Sequence, residues 1–124
     1  YTSTPSSAAS DVYKRQGQQM PEITTDVSCQ TVITTFECSP GTCSDLLGLL
    51  QAAYAEFISK QPGFMGAGLH VNDAETRIAN YSQWETRDHF KAMLRSEEMR
   101  KRNREIAGLC SRFEPVMYEV VAAF

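Results

Sequence analysis

The sequence predicts an α+β fold in which a four-stranded antiparallel sheet carries its helices on one face. Three observations lead there. Segments with apolar residues at alternate positions give way twice to segments with apolar residues at helical spacing, in the order strand, helix, strand, strand, helix, strand. The two middle strands are joined by Asn72-Asp73-Ala74-Glu75, which has the composition of a hairpin turn. A chain of 124 residues with 42% hydrophobic content is enough for one domain with its own core.

Tyr1 to Gln19 is rich in Ser, Thr and Gln and has too little periodic apolar surface to offset the entropy of ordering it, so residues 1–20 are expected to be a disordered or non-native tail and 21–124 the folded domain. Met20 is a candidate natural start. Cys29 to Cys38 is dense in β-branched and aromatic residues and closes on Ser39-Pro40-Gly41, which predicts the first strand and a turn. Leu46, Leu47, Leu49, Leu50, Ala53, Tyr54, Phe57 and Ile58 recur at helical spacing, predicting a helix from Cys43 to Lys60, capped by Thr42 and stopped at Pro62-Gly63.

Phe64 to Asn72 is the second predicted strand. Met65, Ala67, Leu69 and Val71 take one face, and Gly66, Gly68 and His70 the other, where missing side chains permit close approach. The third strand, Thr76 to Glu85, returns antiparallel beside it. Thr86 can cap a second helix holding Phe90, Met93 and Leu94, and Ser96 can restart one that runs past Ile106 to Cys110, with a break between them. Phe113 to Phe124 is apolar on both faces and is expected to be covered on both. This element order is the ferredoxin-like βαββαβ pattern. With both helices on one side of the sheet, the other side is bare, and a second copy of the chain would hide it, so a homodimer is expected.

Net charge of −3 and a pI near 5.3 argue against nucleic acid or an anionic membrane as the main partner. The charges from Arg95 to Glu105 alternate in sign at helical separations, as on a solvated face. No run is long enough to span a membrane and no secretion signal is evident, which gives the expectation of a cytoplasmic protein. Cys29, Cys38, Cys43 and Cys110 form no CxxC pair and stand at no zinc-ligand spacing, so buried reduced thiols are expected and no metal site. A dinucleotide-binding fingerprint is also missing from the sequence.

The third strand carries the candidate chemistry. Ile78, Asn80, Ser82 and Trp84 share one face, with Asn80 and Trp84 about 13 Å apart along the backbone. An amide and an indole in one apolar cleft suit a flat aromatic molecule; a core strand with one satisfied amide has the same spacing. His70 is the best base by intrinsic pKa, although its alternation with Leu69 and Val71 turns it toward the opposite face. Tyr54, Phe57 and Met65 are candidate pocket walls, and plain core packing would use them equally well.

Gln-Pro-Gly-Phe from 61 to 64, Leu69-His70, the Asn-Tyr-x-Gln-Trp-Glu run from 80 to 85, His89-Phe90 and Tyr118-Glu119-Val120-Val121 together resemble the antibiotic biosynthesis monooxygenase family, over nearly all of Thr31 to Phe124. The resemblance implies a dimeric α+β barrel. It is specific for fold and less so for substrate, since the family also includes haem-degrading enzymes, quinol monooxygenases and members without known activity. The nearest likeness is to cofactor-independent oxygenases of aromatic polyketide biosynthesis, which convert anthrones or related hydroxyaromatics to quinones with molecular oxygen. The likeness implies catalytic roles for Asn80, Trp84 and Arg104, no cofactor, and a small aromatic substrate. A tyrosine expected shortly after the Trp is replaced by Phe90. The haem-degrading branch is disfavoured, because Thr34 and Leu94 stand where it carries an Asn and a histidine ligand. Quinol oxidation on simpler diphenols, or non-catalytic binding of a hydrophobic metabolite, are the alternatives.

Overall fold

The computed structural model describes residues 20–25 and 29–124. The tail expected over residues 1–20 falls, up to residue 19, outside them. Strand β1 (Gln30–Glu37) leads through Ser39 into helix α1 (Pro40–Glu56), followed by a 3₁₀ turn (Ile58–Lys60). Strands β2 (Phe64–Val71) and β3 (Arg77–Trp84) form the hairpin, then come α2 (Arg87–Arg95), α3 (Glu97–Ala107) and β4 (Arg112–Tyr118). The sheet is antiparallel, in the order β2-β3-β1-β4, so the ferredoxin-like expectation holds.

Local chemistry sets each helix start. Ser39, not Thr42, is the N-cap of α1, with Pro40 in the first helical positions. Thr42 sits at the third helical position, where its Oγ1 accepts from the Ser39 N–H at 3.4 Å. The helix therefore begins three residues before the predicted Cys43. Its inward stripe is Cys43, Leu46, Leu50 and Ala53. Thr86 and Ser96 cap α2 and α3 by accepting from the N–H groups of His89 and Met99, both at 3.2 Å. Ser96 also donates to Met93 O at 2.7 Å, which ties the expected break to both helices.

Gly63 stands at φ +84°, and a Cβ there would come within 2.5 Å of His89 Cβ. The turn before β2 thus needs glycine both for its backbone angle and for the imidazole packed over it. A bulge between Phe64 and Gly66 then shifts the register, pairing Phe64 with Trp84, Ala67 with Ser82 and Leu69 with Asn80. Phe64, not Met65 as strict alternation predicted, therefore joins Ala67 and Leu69 on the helix side.

The core lies between that side and the helices, built on Val32, Phe36, Leu46, Ile78, Trp84 and Ile106. Phe113 of β4 stacks on Phe36 with ring centroids 5.5 Å apart. Across the other face of the sheet, the Gln83 side chain bonds both backbone groups of Glu22, and residues 20–22 run over Gly66. Toward its β4 edge that face is uncovered among the described residues: β4 ends at Tyr118, and Val116 and Tyr118 are 38% and 48% exposed. Coverage of the last strand on both sides, expected from its composition, is not provided by the described residues of a single chain. Among the described residues no helix is long and apolar enough to cross a membrane.

Candidate active site

Strand β3 presents Ile78, Asn80, Ser82 and Trp84 toward the helices, and all four are buried. Alternation along the strand produces this, with α1 and α2 packed against it. A cavity of about 50 Å³ lies beneath them, lined by Asn80, Ser82 and Thr34 from the sheet, Tyr54 from α1 and an apolar wall that includes Phe90, Met93 and Met99. A wider open groove of about 800 Å³ runs between α1 and the edge strand β2, past Phe64, Ala67 and Leu69. Tyr54 borders both spaces.

The polar groups of the cavity form one chain. The Tyr54 hydroxyl donates to Asn80 Oδ1 at 2.8 Å. The Trp84 indole N–H donates to Ser82 Oγ at 3.3 Å, and the Ser82 hydroxyl in turn donates to Val32 O at 3.5 Å. Asn80 is only 9% exposed, and no partner for its Nδ2 is found among the described residues. A buried NH₂ without an acceptor costs on the order of 1–3 kcal/mol unless something fills the role.

Burial pushes the Tyr54 phenol up to about 12, against a smaller opposing pull from hydrogen bonds to Asn80 and Ser82. It therefore stays a protonated donor through the neutral range. The linkage to stability has a definite sign. An unfolded tyrosine loses its proton near pH 10 while the folded one holds it to about 12, so this contribution is complete below pH 10 and is lost as pH rises from 10 to 12. Urea midpoints measured across that window should fall more steeply for the wild type than for Tyr54→Phe.

The residues singled out in the sequence fall into two groups. Asn80, Tyr54 and Phe90 line the cavity. Trp84 shares their face but does not line it: at 0% exposure it is wedged between Phe64 and Phe90, edge-on to both with centroids 5.4 and 5.9 Å away. Its indole N–H is spent on Ser82. Phe57 and Met65 line neither space; Phe57 caps the end of α1 and packs against the core, and Met65 falls in the bulge.

His70 and Arg104 stand apart from the cavity. The imidazole is exposed on the open face, with Nδ1 3.3 Å from Ala79 O, because strand alternation turns it away from Asn80. Arg104 is exposed on α3, where helical phase gives the cavity position to its neighbour Asn103. On the same helix Arg102 is salt-bridged, at 2.9 Å from Glu56 and 2.7 Å from Glu98. Asn103, Thr34 and Ser82 are site residues that the sequence reading did not select. For Ser82 the signal was present, since it lies between Asn80 and Trp84 on the same face of the strand.

The four cysteines are free thiols, but only Cys43 is buried as expected, Cys29, Cys38 and Cys110 being half-buried; no group of three or more His, Cys, Asp or Glu suited to a metal ion occurs among the described residues. Thr34 and Leu94 both line the cavity.

The ferredoxin-like sheet thus carries a small, mostly apolar cavity in which, among the described residues, the buried Asn80 Nδ2 has no acceptor, an α+β arrangement of the kind suited to a small molecule. The chain belongs to the antibiotic biosynthesis monooxygenase family, whose match covers residues 30–104. It is 26% identical over 94 residues to tetracenomycin-F1 monooxygenase of Streptomyces glaucescens, covering 76% of this chain and 83% of that one. In fold it is similar to SnoaB, a cofactor-independent oxygenase from Streptomyces nogalater, with a TM-score of 0.64 and 18% identity over 78% of this chain and 97% of SnoaB. PA3566 from Pseudomonas aeruginosa aligns with a TM-score of 0.65 and 17% identity, over 82% of this chain and all of its own.

Proposed function

We propose that the chain is a cofactor-independent monooxygenase that oxidises an anthrone or related hydroxyaromatic to a quinone with molecular oxygen. The observation that carries the reading is the buried Asn80, which lines a mostly apolar cavity and whose Nδ2 has no acceptor among the described residues. Ground-state oxygen is a triplet and reacts slowly with closed-shell organics until an electron-rich anion gives it one electron. A fused hydroxyaromatic can be that anion, and its own ring system delocalises the charge. The protein's task is then to hold the anion. Donors aimed at developing charge in a dry site can contribute roughly 3 kcal/mol each. Asn80 would donate to the substrate oxygen that becomes anionic, Phe90 would face the ring, and Trp84 would hold the wall behind them through Ser82.

A three-ring substrate is larger than the 50 Å³ cavity, and two flexible thioether side chains, Met93 and Met99, form part of the wall that must move to admit it. The small volume favours a second reading: a quinol monooxygenase acting on a single-ring diphenol. The open sheet face, with Val116 and Tyr118 exposed, supports association into a homodimer.

The deciding experiment incubates chelator-treated protein with dithranol, and separately with single-ring hydroquinones, while following oxygen uptake and quinone absorbance. Uptake with dithranol supports the first reading, and uptake restricted to hydroquinones supports the second. Binding without oxygen consumption on any substrate would mark the domain as a metabolite binder.

A further inference from the structure

We infer that Tyr54 is a positioning residue: its hydroxyl, by donating to Asn80 Oδ1, sets the amide so that Nδ2 and not Oδ1 meets the substrate oxygen. This rests on the functional reading above in that it names the support of the same donor.

The physical need is specific to asparagine. The terminal torsion of an amide is broad and nearly two-fold, so an unrestrained Asn80 would present its carbonyl about as readily as its NH₂. A carbonyl pointed at a forming phenolate repels it, whereas the NH₂ stabilises it. The hydrogen bond donated by Tyr54 to Oδ1 favours the orientation with NH₂ outward, provided that the hydroxyl keeps its proton to donate. The Tyr54 phenol meets this condition because burial keeps it protonated. Its place on α1 matters as well. The helix is held to the sheet by Leu46, Leu50 and Ala53, all buried, so the hydroxyl is carried by a rigid element rather than by a loop. The open groove begins on the other side of the Tyr54 ring. Removing the hydroxyl while keeping the ring leaves that partition standing and deletes only the hydrogen bond.

The test uses Tyr54→Phe, Asn80→Ala and the double variant, with two readouts. The first needs no ligand: the side-chain NH₂ signals of Asn80 in ¹⁵N–¹H spectra. They are expected to shift and broaden in Tyr54→Phe while the Trp84 indole signal keeps its place, which also shows that the fold is retained. The second is dithranol oxidation. Tyr54→Phe is expected to lower kcat by about tenfold with little change in KM, as suits one hydrogen bond lost from the transition state. The double variant is expected to be no slower than Asn80→Ala alone, because Tyr54 acts only through the amide. Unchanged Asn80 signals, or a double variant slower than Asn80→Ala by the full tenfold, would overturn the inference. Shifted signals in a protein that consumes no oxygen would overturn the oxygenase reading and leave the Tyr54–Asn80 positioning intact.

Discussion

Replacing Asn80 by alanine is expected to lower dithranol turnover by at least tenfold and by up to roughly a thousandfold, the range found when one donor to a developing oxyanion is removed. The effect should fall on kcat rather than KM, since the donor counts most when charge has formed. Stability should change much less than activity. The variant loses one amide and leaves the Tyr54 hydroxyl without its Asn80 acceptor, but the hydroxyl keeps Ser82 as a neighbour. Asn80→Asp sharpens the test. It is isosteric, yet an ionised carboxylate offers only acceptors where the NH₂ stood and repels a phenolate. An oxygen electrode and a melting curve suffice for both variants, and wild-type rates in the two would remove Asn80 from the mechanism.

The largest loss of stability is expected at Trp84. Trp84→Ala should cost about 3–5 kcal/mol, the range for emptying a large aromatic from a core. For a domain of this size, that lowers the melting temperature by more than about 10 °C. The indole is fully buried, bridges Phe64 of β2 to Phe90 of α2, and holds the Ser82 hydroxyl. Trp84→Phe keeps a ring between those neighbours and removes only the N–H and the second ring, so its loss should be far smaller. Its effect on turnover separates two roles. A side chain that touches substrate predicts a large fall in kcat from Phe substitution. A side chain that supports Ser82 and Phe90 from behind predicts a mild one, and the geometry favours the second outcome.

Trp84 also shows where reading a sequence succeeds and where it stops. Period-two alternation placed Asn80, Ser82 and Trp84 on one face of a strand, and they are on one face. Alternation says nothing about which residue of a shared face meets a cavity and which is roofed by helices. That depends on where α1, α2 and α3 cross the strand, and these helices cover Trp84 while leaving Asn80 at the cavity wall. Met65 failed for a local reason: one bulge residue shifts every side chain before it to the other face, and no composition signal marks the bulge. Arg104 sits one residue from the inward-facing Asn103. A helical stretch of mixed charges and few apolar residues does not define its phase closely enough to separate neighbours.

The amino-acid sequence by itself determined the order of elements, the antiparallel hairpin, the break at Ser96 and the face of β3 that turns inward. Each depends on interactions within a few residues: caps, turns and alternation. Tertiary structure alone decided which polar groups pair across the core. The Tyr54–Asn80 hydrogen bond joins residues 26 apart, and the edge-on ring contacts of Trp84 join three separate elements. Such pairings depend on how helices seat on the twisted sheet, a global balance of packing that no local pattern encodes. They leave the Asn80 amide of the buried strand bonded at its oxygen and, among the described residues, without an acceptor at its nitrogen.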